Sequence, residues 1–260
     1  MKGPGRVEVD VHDGVAVLTL HNPPANFLSR AMASNLKEAI DGLPGDKARA
    51  IVVTGNGRAF CAGADPSDLQ AIRTAREARL LAAAGQKMLD RMERSTRIVV
   101  AAINGLCLGG GLELAMACHL RFCSDRARLG LPEITLGLIP GLGGTQRLPA
   151  LVGTSRALSL VLTGDTVAAE EARDIGLVDE VMPASELMAA VMKFARRIAR
   201  RPPEAVAAAL ATIRGGGRRP QGAGMRAEAD AFGRLCARSR VGRNIKPLWP
   251  PSVQGTAVER

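Results

Sequence analysis

The sequence has very few aromatic residues: its 260 residues include five Phe, one Trp and no Tyr. A folded core must therefore be mainly aliphatic, and the stacking surfaces that hold single-stranded nucleic acid are scarce. The three histidines are isolated and the five cysteines include no C-x-x-C pair, so no zinc-binding spacing is present. We expect no metal site, no disulfide framework, and free thiols in a reducing cytoplasm.

Long uninterrupted apolar segments are also absent. The first ten residues, MKGPGRVEVD, contain no apolar run, so the sequence predicts no secretory signal. The longest apolar window, Ile98–Cys118, is interrupted by Asn104, three glycines and Glu113. It therefore predicts a buried strand, a turn and a helix rather than a membrane span.

Charge is unevenly distributed along the chain. The net charge is +10, yet residues 193–260 hold 15 of the 35 Lys and Arg and only 4 of the 25 Asp and Glu. The basic excess thus belongs to the C-terminal quarter. Such an excess fits binding to nucleic acid, to an anionic membrane or to a phosphorylated ligand, and it fits a solvated basic surface equally well.

Hydrophobic periodicity predicts an α/β core in the first part of the chain. Strands are predicted at residues 7–10, 15–20, 50–54 and 98–103, the first two as a hairpin. Ser29 and Thr74 are predicted to cap the helices between these strands, with Thr74 opening a helix through Arg94. This β-α-β-α-β order with short connections indicates a mainly parallel sheet with right-handed crossovers.

After Gly144 the pattern becomes helical. Helices are predicted at residues 155–162, 167–175, 186–201, 203–213 and 225–238, with Thr166 capping the second. Glycines and arginines at 215–220 indicate a linker, and the proline-containing tail from Val241 is predicted to be irregular. We therefore predict an α/β core at residues 1–200 and a helical region at residues 201–260, with no internal repeat.

A strand, a glycine turn and a helix meet near the centre of the sequence. The run 98–103 is followed by Gly109 to Gly111 and then by good helix formers, so bare N–H groups lie at the positive end of a helix. Glu113 falls in the first turn of that helix. Glu133 follows a proline twenty residues later, in a short segment predicted to be non-helical.

These features also have structural explanations. Acidic residues stabilise the first turn of a helix through its dipole, glycines permit close packing, and a glutamate after a proline is usually solvated. The apolar surroundings of Glu113 favour a functional role, because a buried carboxylate is costly unless it has a partner or a task. We therefore regard Glu113 and Glu133 as a candidate catalytic pair.

A second turn rich in small residues, 58–65, follows the predicted strand at 50–54 and precedes a predicted short helix at 66–69. Ligands of open α/β sheets bind beyond the carboxyl ends of the strands. Because both turns follow strands, we predict that they face one crevice.

These segments together resemble a known family. They read NPPANFLS (22–29), GRAFCAGAD (57–65), AAINGLCLGGGLELAMACHLRF (101–122), LPEITLGLIPGLGGTQRL (131–148) and TGDTVAAEEARDIGLVDEV (163–181). In this combination the chain resembles the crotonase, or enoyl-CoA hydratase/isomerase, superfamily over about residues 7–215. The resemblance implies a repeated ββα spiral core with a C-terminal helical region for trimerisation, and it implies a homotrimer or a homohexamer made of two trimers.

The resemblance also implies roles for individual residues. The backbone N–H groups of Ala64 and Gly110 would form an oxyanion hole for the thioester carbonyl of an acyl-CoA substrate. Glu113 and Glu133 match the two catalytic glutamates of the hydratases. Gly141 matches a glycine whose N–H helps to hold the catalytic water.

Contacts with the CoA moiety are implied for three further residues, Ala25, Ala62 and Asp65, largely through the backbone. The chain departs from the family directly after them, since Pro66 and Ser67 replace the usual aliphatic residue and lysine. A cationic contact with the CoA phosphates is therefore not expected at these two positions.

Retention of both glutamates favours an enoyl-CoA hydratase that needs no cofactor beyond the CoA of its substrate. An enoyl-CoA isomerase, or another crotonase reaction on an acyl-CoA, remains an alternative. A non-catalytic RNA-binding homologue is a further alternative, prompted by the basic C-terminal quarter and opposed by the scarce aromatic residues and the intact pair of glutamates.

Overall fold

A computed structural model of the chain describes residues 5–45, 47–216 and 222–239. The chain divides into two units, Met1–Arg201 and Pro202–Arg260. Within the described residues, two β-sheets and eight α-helices belong to the first unit, and two α-helices that pack against each other belong to the second. The predicted α/β class and the predicted C-terminal helices are confirmed.

The strands of the first unit are β1 (Arg6–His12), β2 (Val15–His21), β3 (Ala50–Gly55), β4 (Ala59–Cys61), β5 (Ile98–Ile103), β6 (Leu106–Leu108), β7 (Leu120–Ser124), β8 (Arg128–Gly130), β9 (Thr166–Ala168) and β10 (Glu180–Met182). Its helices are α1 (Arg30–Asp41), α2 (Pro66–Gln70), α3 (Ala75–Glu93), α4 (Gly110–Ala117), a 3-10 helix (Pro132–Leu136), α5 (Gly144–Val152), α6 (Thr154–Thr163), α7 (Ala169–Asp174) and α8 (Leu187–Ala199). The second unit contains α9 (Pro203–Gly216) and α10 (Ala223–Ser239).

The larger sheet has the strand order β1-β2-β3-β5-β7-β10. β1 and β2 form the predicted antiparallel hairpin, and every other neighbouring pair is parallel. All residues of β3 and β5 are buried, as continuous apolar runs predict for strands covered on both faces. The prediction of a mainly parallel sheet is therefore confirmed, and the carboxyl ends of its parallel strands meet at one edge.

The smaller sheet has the order β4-β6-β8-β9, and none of its strands was predicted. β4, β6 and β8 each follow a strand of the larger sheet, so the pairs β3-β4, β5-β6 and β7-β8 alternate between the two sheets. A helix follows each pair, which gives the ββα repeat that the resemblance implies. This corrects the prediction of no internal repeat: strands of three residues are too short to leave a periodic pattern in the sequence.

Two predicted helix caps are present. The Ser29 hydroxyl accepts a hydrogen bond from the N–H of Met32 at 3.1 Å, at the start of α1. The Thr74 hydroxyl accepts one from the N–H of Glu77 at 3.2 Å, at the start of α3. Each cap satisfies an N–H group that has no acceptor inside its helix, and it thereby defines where the helix begins.

Two local predictions are wrong. Thr166 does not cap a helix, because it belongs to β9, which pairs antiparallel with β8, and α7 begins only at Ala169. Its neighbour Val167 is buried in the core, so strand pairing and burial outweigh the local capping preference. The segment that carries Glu133 is a 3-10 helix and not a non-helical segment.

The C-terminal predictions are met in part. α10 matches the predicted last helix. α9 continues to Gly216 rather than ending at Ile213, so the first two residues of the predicted linker are helical. The rest of that linker, at 217–220, and the predicted irregular tail from Val241 lie outside the described residues.

Candidate active site

Glu113 lies in the first turn of α4 and is almost completely enclosed, with 1% of its surface exposed. Its Oε1 atom accepts two short hydrogen bonds, from the N–H of Leu142 at 2.7 Å and from the N–H of Gly144 at 2.6 Å. Leu142 lies in the loop that leads into α5, and Gly144 is the first residue of α5. The loop thus fixes the orientation of the carboxylate, and its N–H groups stabilise the charged form.

Burial raises the pKa of Glu113 to about 7. The negative charge of Glu133 acts in the same direction, whereas the two backbone hydrogen bonds and the positive charge of Arg147 lower the pKa. A carboxyl group with a pKa near neutrality both accepts and releases a proton readily. This is the property required of a general base or a general acid.

Glu133 lies in the 3-10 helix that follows β8. Its Oε1 approaches the backbone of Gly109, where an added Cβ atom would lie 3.0 Å from it. Its Oε2 is buried and has no hydrogen-bond partner among the described residues. Burial raises the pKa of the Glu133 carboxyl. An enclosed polar atom without a partner is costly, so Oε2 marks a place where a ligand or a water molecule would be bound.

Gly109 lies between the backbone of Glu113 and the carboxyl group of Glu133. Its carbonyl accepts a hydrogen bond from the N–H of Glu113 at 3.0 Å, and its own N–H donates to the carbonyl of Gly130 at 2.9 Å. Its backbone has φ of +51° and ψ of −126°. A side chain here would strain the backbone and press against Glu133, so glycine is required.

The amides of Ala64 and Gly110 lie close together, since a Cβ atom at Gly110 would be 3.5 Å from the Ala64 nitrogen. Gly110 is the first residue of α4, so its N–H has no acceptor inside the helix. The N–H of Leu28 donates to the carbonyl of Gly63, and the carbonyl of Leu28 accepts from the N–H of Asp65. In this strand-like pairing the N–H of the intervening Ala64 points away from Leu28. The two turns therefore meet, as predicted, and can present two donors to one oxygen atom.

The residues expected to contact CoA lie on neighbouring loops. The N–H of Ala62 donates to the carbonyl of Ala25 at 3.0 Å. Asp65 caps α2, where its Oδ1 accepts from the N–H of Ser67 at 2.9 Å and from the Ser67 hydroxyl at 2.6 Å. Asp65 also lines a cleft of about 710 Å³ beside the first turns of α1 and α2. These loops lead directly to the amide of Ala64.

Gly141 lies in the loop that holds Glu113, but the amides that bond to that carboxylate belong to Leu142 and Gly144. The carbonyl of Gly141 accepts from the side chain of Gln86 at 2.8 Å. The expected role of its N–H in holding water stays a prediction.

A profile of the family described as enoyl-CoA hydratase/isomerase matches residues 10–245 of the chain. The chain belongs to the enoyl-CoA hydratase/isomerase family. The predicted crotonase superfamily is thereby confirmed, and the two carboxyl groups and paired amides described above lie within the matched region. This is a family of enzymes.

The names of similar proteins, and a similar solved structure, agree with this family assignment. A probable enoyl-CoA hydratase of Bacillus subtilis is 44% identical over 197 residues, covering 74% of this chain and 76% of that protein. A fatty acid oxidation complex subunit alpha of Idiomarina loihiensis is 46% identical over 189 residues, covering 70% of this chain but 27% of the longer protein. The crystal structure of an enoyl-CoA hydratase from Bacillus anthracis superposes with a TM-score of 0.86 at 35% identity, over 91% of this chain and 93% of that one. The crotonase fold is confirmed.

Two side chains that hold the loop before α5 in this family member were not predicted from the sequence. Arg147, in α5, donates to the carbonyl of Leu142 at 2.8 Å and contacts two carboxylates of α3. Gln86, also in α3, supports the same loop. The only signal in the sequence was the position of Arg147 within segment 131–148, on which the resemblance partly rests.

No helix within the described ranges is long and apolar enough to cross a membrane. The same ranges contain no group of three or more His, Cys, Asp or Glu side chains placed to hold a metal ion. Burial raises the pKa of the Cys61 thiol to about 11 and that of the Cys118 thiol to about 12, so both stay protonated and unreactive.

Proposed function

We propose that the protein is an enoyl-CoA hydratase, which adds water reversibly to a 2-enoyl-CoA and forms a 3-hydroxyacyl-CoA. The observation that carries this proposal is that the buried carboxyl group of Glu113 and the half-buried Glu133, whose Oε2 is enclosed, accompany the adjacent amides of Ala64 and Gly110. The names of the relatives support the same activity. No cofactor takes part in the proposed reaction apart from the CoA of the substrate.

The paired amides would act on the thioester carbonyl. Addition of water to the conjugated double bond drives negative charge onto the thioester oxygen. Ala64 and Gly110 would donate hydrogen bonds to that oxygen, with the N-terminus of α4 adding its positive dipole. A preorganised donor of this kind contributes about 3 kcal/mol to the stability of the transition state.

The two carboxyl groups would divide the proton transfers. Glu113 accepts a proton from water while the water oxygen bonds to Cβ, and the electron pair of the double bond moves to the thioester oxygen. The enolate then takes a proton at Cα from Glu133. Exchange of a proton from Glu113 to Glu133 through water restores both groups before the next turnover.

The surroundings of each carboxyl group support this division. Two backbone N–H groups bond to Glu113 and favour its ionised form, although its pKa stays near neutrality. Burial raises the pKa of Glu133, and its Oε2 receives no hydrogen bond from the described residues. The two carboxyl groups thus differ in the donors that surround them, and carboxyl groups in different surroundings can divide base and acid roles.

The test is hydration of crotonyl-CoA and of a longer 2-enoyl-CoA, followed as loss of the conjugated thioester absorbance. We expect hydration by the native protein, and a loss of about 100-fold or more in kcat in Glu113→Gln and in Glu133→Gln. The exposed Glu171→Gln variant is the matched control and should remain active. Near-normal turnover in Glu113→Gln would overturn its role as base. Isomerisation of a 3-enoyl-CoA without hydration would assign the protein to the isomerases instead.

We propose that the CoA moiety runs along the loops of Ala25, Ala62 and Asp65 into the cleft beside α1 and α2. The backbone pairing of Ala25 with Ala62 and the cleft volume of about 710 Å³ support this path. Ala62→Arg, which places a large side chain on the path, should raise KM for the acyl-CoA. An unchanged KM in a folded variant would place the CoA elsewhere.

A homotrimer, or a hexamer made of two trimers, is proposed as the assembly. Three large apolar residues of α9 and α10, namely Ile213, Met225 and Phe232, are between 69% and 77% exposed, and an assembly through these helices would cover them. Light scattering of the purified protein should give three or six times the monomer mass. Phe232→Ser should weaken the assembly, whereas Leu80→Ser, at an exposed position of α3, should not. A monomer at every concentration would contradict the proposal.

A cytoplasmic location is likewise proposed. All five cysteines are free, and four of them are buried. Cys61 and Cys107 lie on neighbouring strands yet remain unbridged, which fits a reducing compartment. Localisation of the tagged full chain by fractionation tests this point, and recovery in an oxidising compartment would contradict it.

A further inference from the structure

The loop that holds Glu113 is itself held by one basic side chain, that of Arg147. This side chain is 11% exposed. Its Nη1 donates to the carbonyl of Leu142 at 2.8 Å, and the N–H of the same Leu142 donates to Glu113 at 2.7 Å. A single residue thus connects the guanidinium group with the proposed catalytic base.

Carboxylates of α3 hold the guanidinium group from its other side. Its Nη2 lies 2.7 Å from Oδ1 of Asp90, and its Nε donates to Oε2 of Glu93 at 2.9 Å. The Glu93 side chain is 17% exposed and that of Asp90 is 52% exposed, so Glu93 is the less screened partner. Because α3 is a long packed helix, it gives Arg147 a fixed support.

We propose that Arg147 is a positioning residue for Glu113. It fixes the loop so that the N–H groups of Leu142 and Gly144 both point at one carboxylate oxygen, and its positive charge favours the ionised carboxylate. This inference deepens the proposed function and rests on it for the role of Glu113 as the base. Arg147 would act through Glu113 and not through contact with the substrate.

An arginine suits this position because three hydrogen-bond acceptors surround the side chain in different directions. The planar guanidinium group donates to the Leu142 carbonyl and to the carboxylates of Asp90 and Glu93. A lysine keeps the positive charge but presents a compact head on a flexible stem, and it cannot reproduce this geometry. Substitution by lysine and by glutamine therefore separates the effect of geometry from the effect of charge.

The kinetic test compares the pH dependence of hydration in these variants. In Arg147→Gln we expect kcat to fall about 10- to 100-fold and KM to change less than about threefold, because the base is misplaced while the CoA contacts are intact. The acid limb of the kcat profile should move to higher pH, since loss of a neighbouring positive charge raises the pKa of Glu113. In Arg147→Lys, kcat should still fall while the limb stays near its native position.

Arg121 provides the matched control. It is also a buried arginine, with a side chain 5% exposed, and it donates to the carbonyls of Cys118 and Leu177 and pairs with Asp179. Arg121→Gln should lower the thermal stability of the protein without moving the acid limb. A merely structural role of Arg147 would give the same result in both variants, and that outcome would overturn the proposal.

A readout independent of turnover is hydrogen exchange in the peptide that covers residues 140–148. The amides of Leu142 and Gly144 are bonded to a buried carboxylate and should exchange slowly in the native protein. We expect faster exchange in Arg147→Gln and native exchange in Arg121→Gln.

The outcomes separate the two proposals. If the native protein hydrates no enoyl-CoA, the proposed function fails. Amide hydrogen exchange at residues 140–148 still decides whether Arg147 holds the loop. If Arg147→Gln does not fold, the lysine variant decides through its kcat. Native kcat, native acid limb and native exchange in a folded variant would overturn the role of Arg147.

Discussion

Replacement of Glu113 by glutamine should make the free energy of unfolding less sensitive to pH between pH 5 and pH 8, while it removes the proposed activity. The ordinary pKa of this carboxyl group is 4.5, and burial raises it to about 7 in the folded state. The folded state therefore holds this proton more tightly than the unfolded chain. Its stabilising effect is complete below pH 4.5 and is lost as the pH rises through 7.

The magnitude follows from the two pKa values. A difference between 4.5 and about 7 corresponds to about 3 kcal/mol of unfolding free energy, at about 1.4 kcal/mol per pH unit. Most of this loss, about 2 to 3 kcal/mol, falls between pH 5 and pH 8. Glutamine does not titrate, so the Glu113→Gln variant does not lose this stability as the pH rises. The free energy of unfolding of the variant, relative to that of the native protein, should therefore rise by this amount across that pH range.

The assay is denaturant unfolding of the native protein and of Glu113→Gln at pH 5 and pH 8, at one protein concentration. Glu133 titrates in both proteins, so its contribution largely cancels in the difference. If the difference for Glu113→Gln is equal at the two pH values, Glu113 has an ordinary pKa and the reasoning from its burial is refuted.

Three further predictions concern activity and stability. The kcat for hydration should decline as the pH falls below about 7, because protonation removes the base Glu113; a flat profile would contradict this. Thermal unfolding should show Gly111→Ala destabilised by about 1 to 3 kcal/mol, because its Cβ would overlap the carbonyl oxygen of Cys61, and Gly233→Ala, in open space on α10, stabilised by up to about 1 kcal/mol. Ser29→Ala should lose about 1 kcal/mol with its cap, whereas Ser29→Asp should keep the native stability.

The elements that sequence patterns predicted well depend on short-range physics. β3 and β5 are continuous apolar runs, and their burial on both faces follows from composition alone. The caps at Ser29 and Thr74 bond to N–H groups three residues away. The place of Glu113 in the first turn of α4 likewise follows from three glycines before a run of helix formers.

The elements that patterns missed depend on partners distant in the chain. The short strands of the smaller sheet exist because neighbouring strands pair with them, and Thr166 becomes part of β9 because β8 is its partner. Arg147 has the same character, since Asp90 and Glu93 lie 57 and 54 positions before it. Nothing in the local sequence around Arg147 indicates which side chains it meets.

The sequence by itself therefore determined the central strands, the starts of the main helices, and the two turns and two glutamates from which a catalytic site is proposed. Only the tertiary structure decided that Glu113 is enclosed and bonded to the amides of Leu142 and Gly144, and that Oε2 of Glu133 is buried without a partner. The physical reason is that the pKa of a carboxyl group is set by desolvation and by nearby donors and charges. In this protein those groups lie 20 to 34 positions from Glu113 in the sequence, and only the fold brings them together.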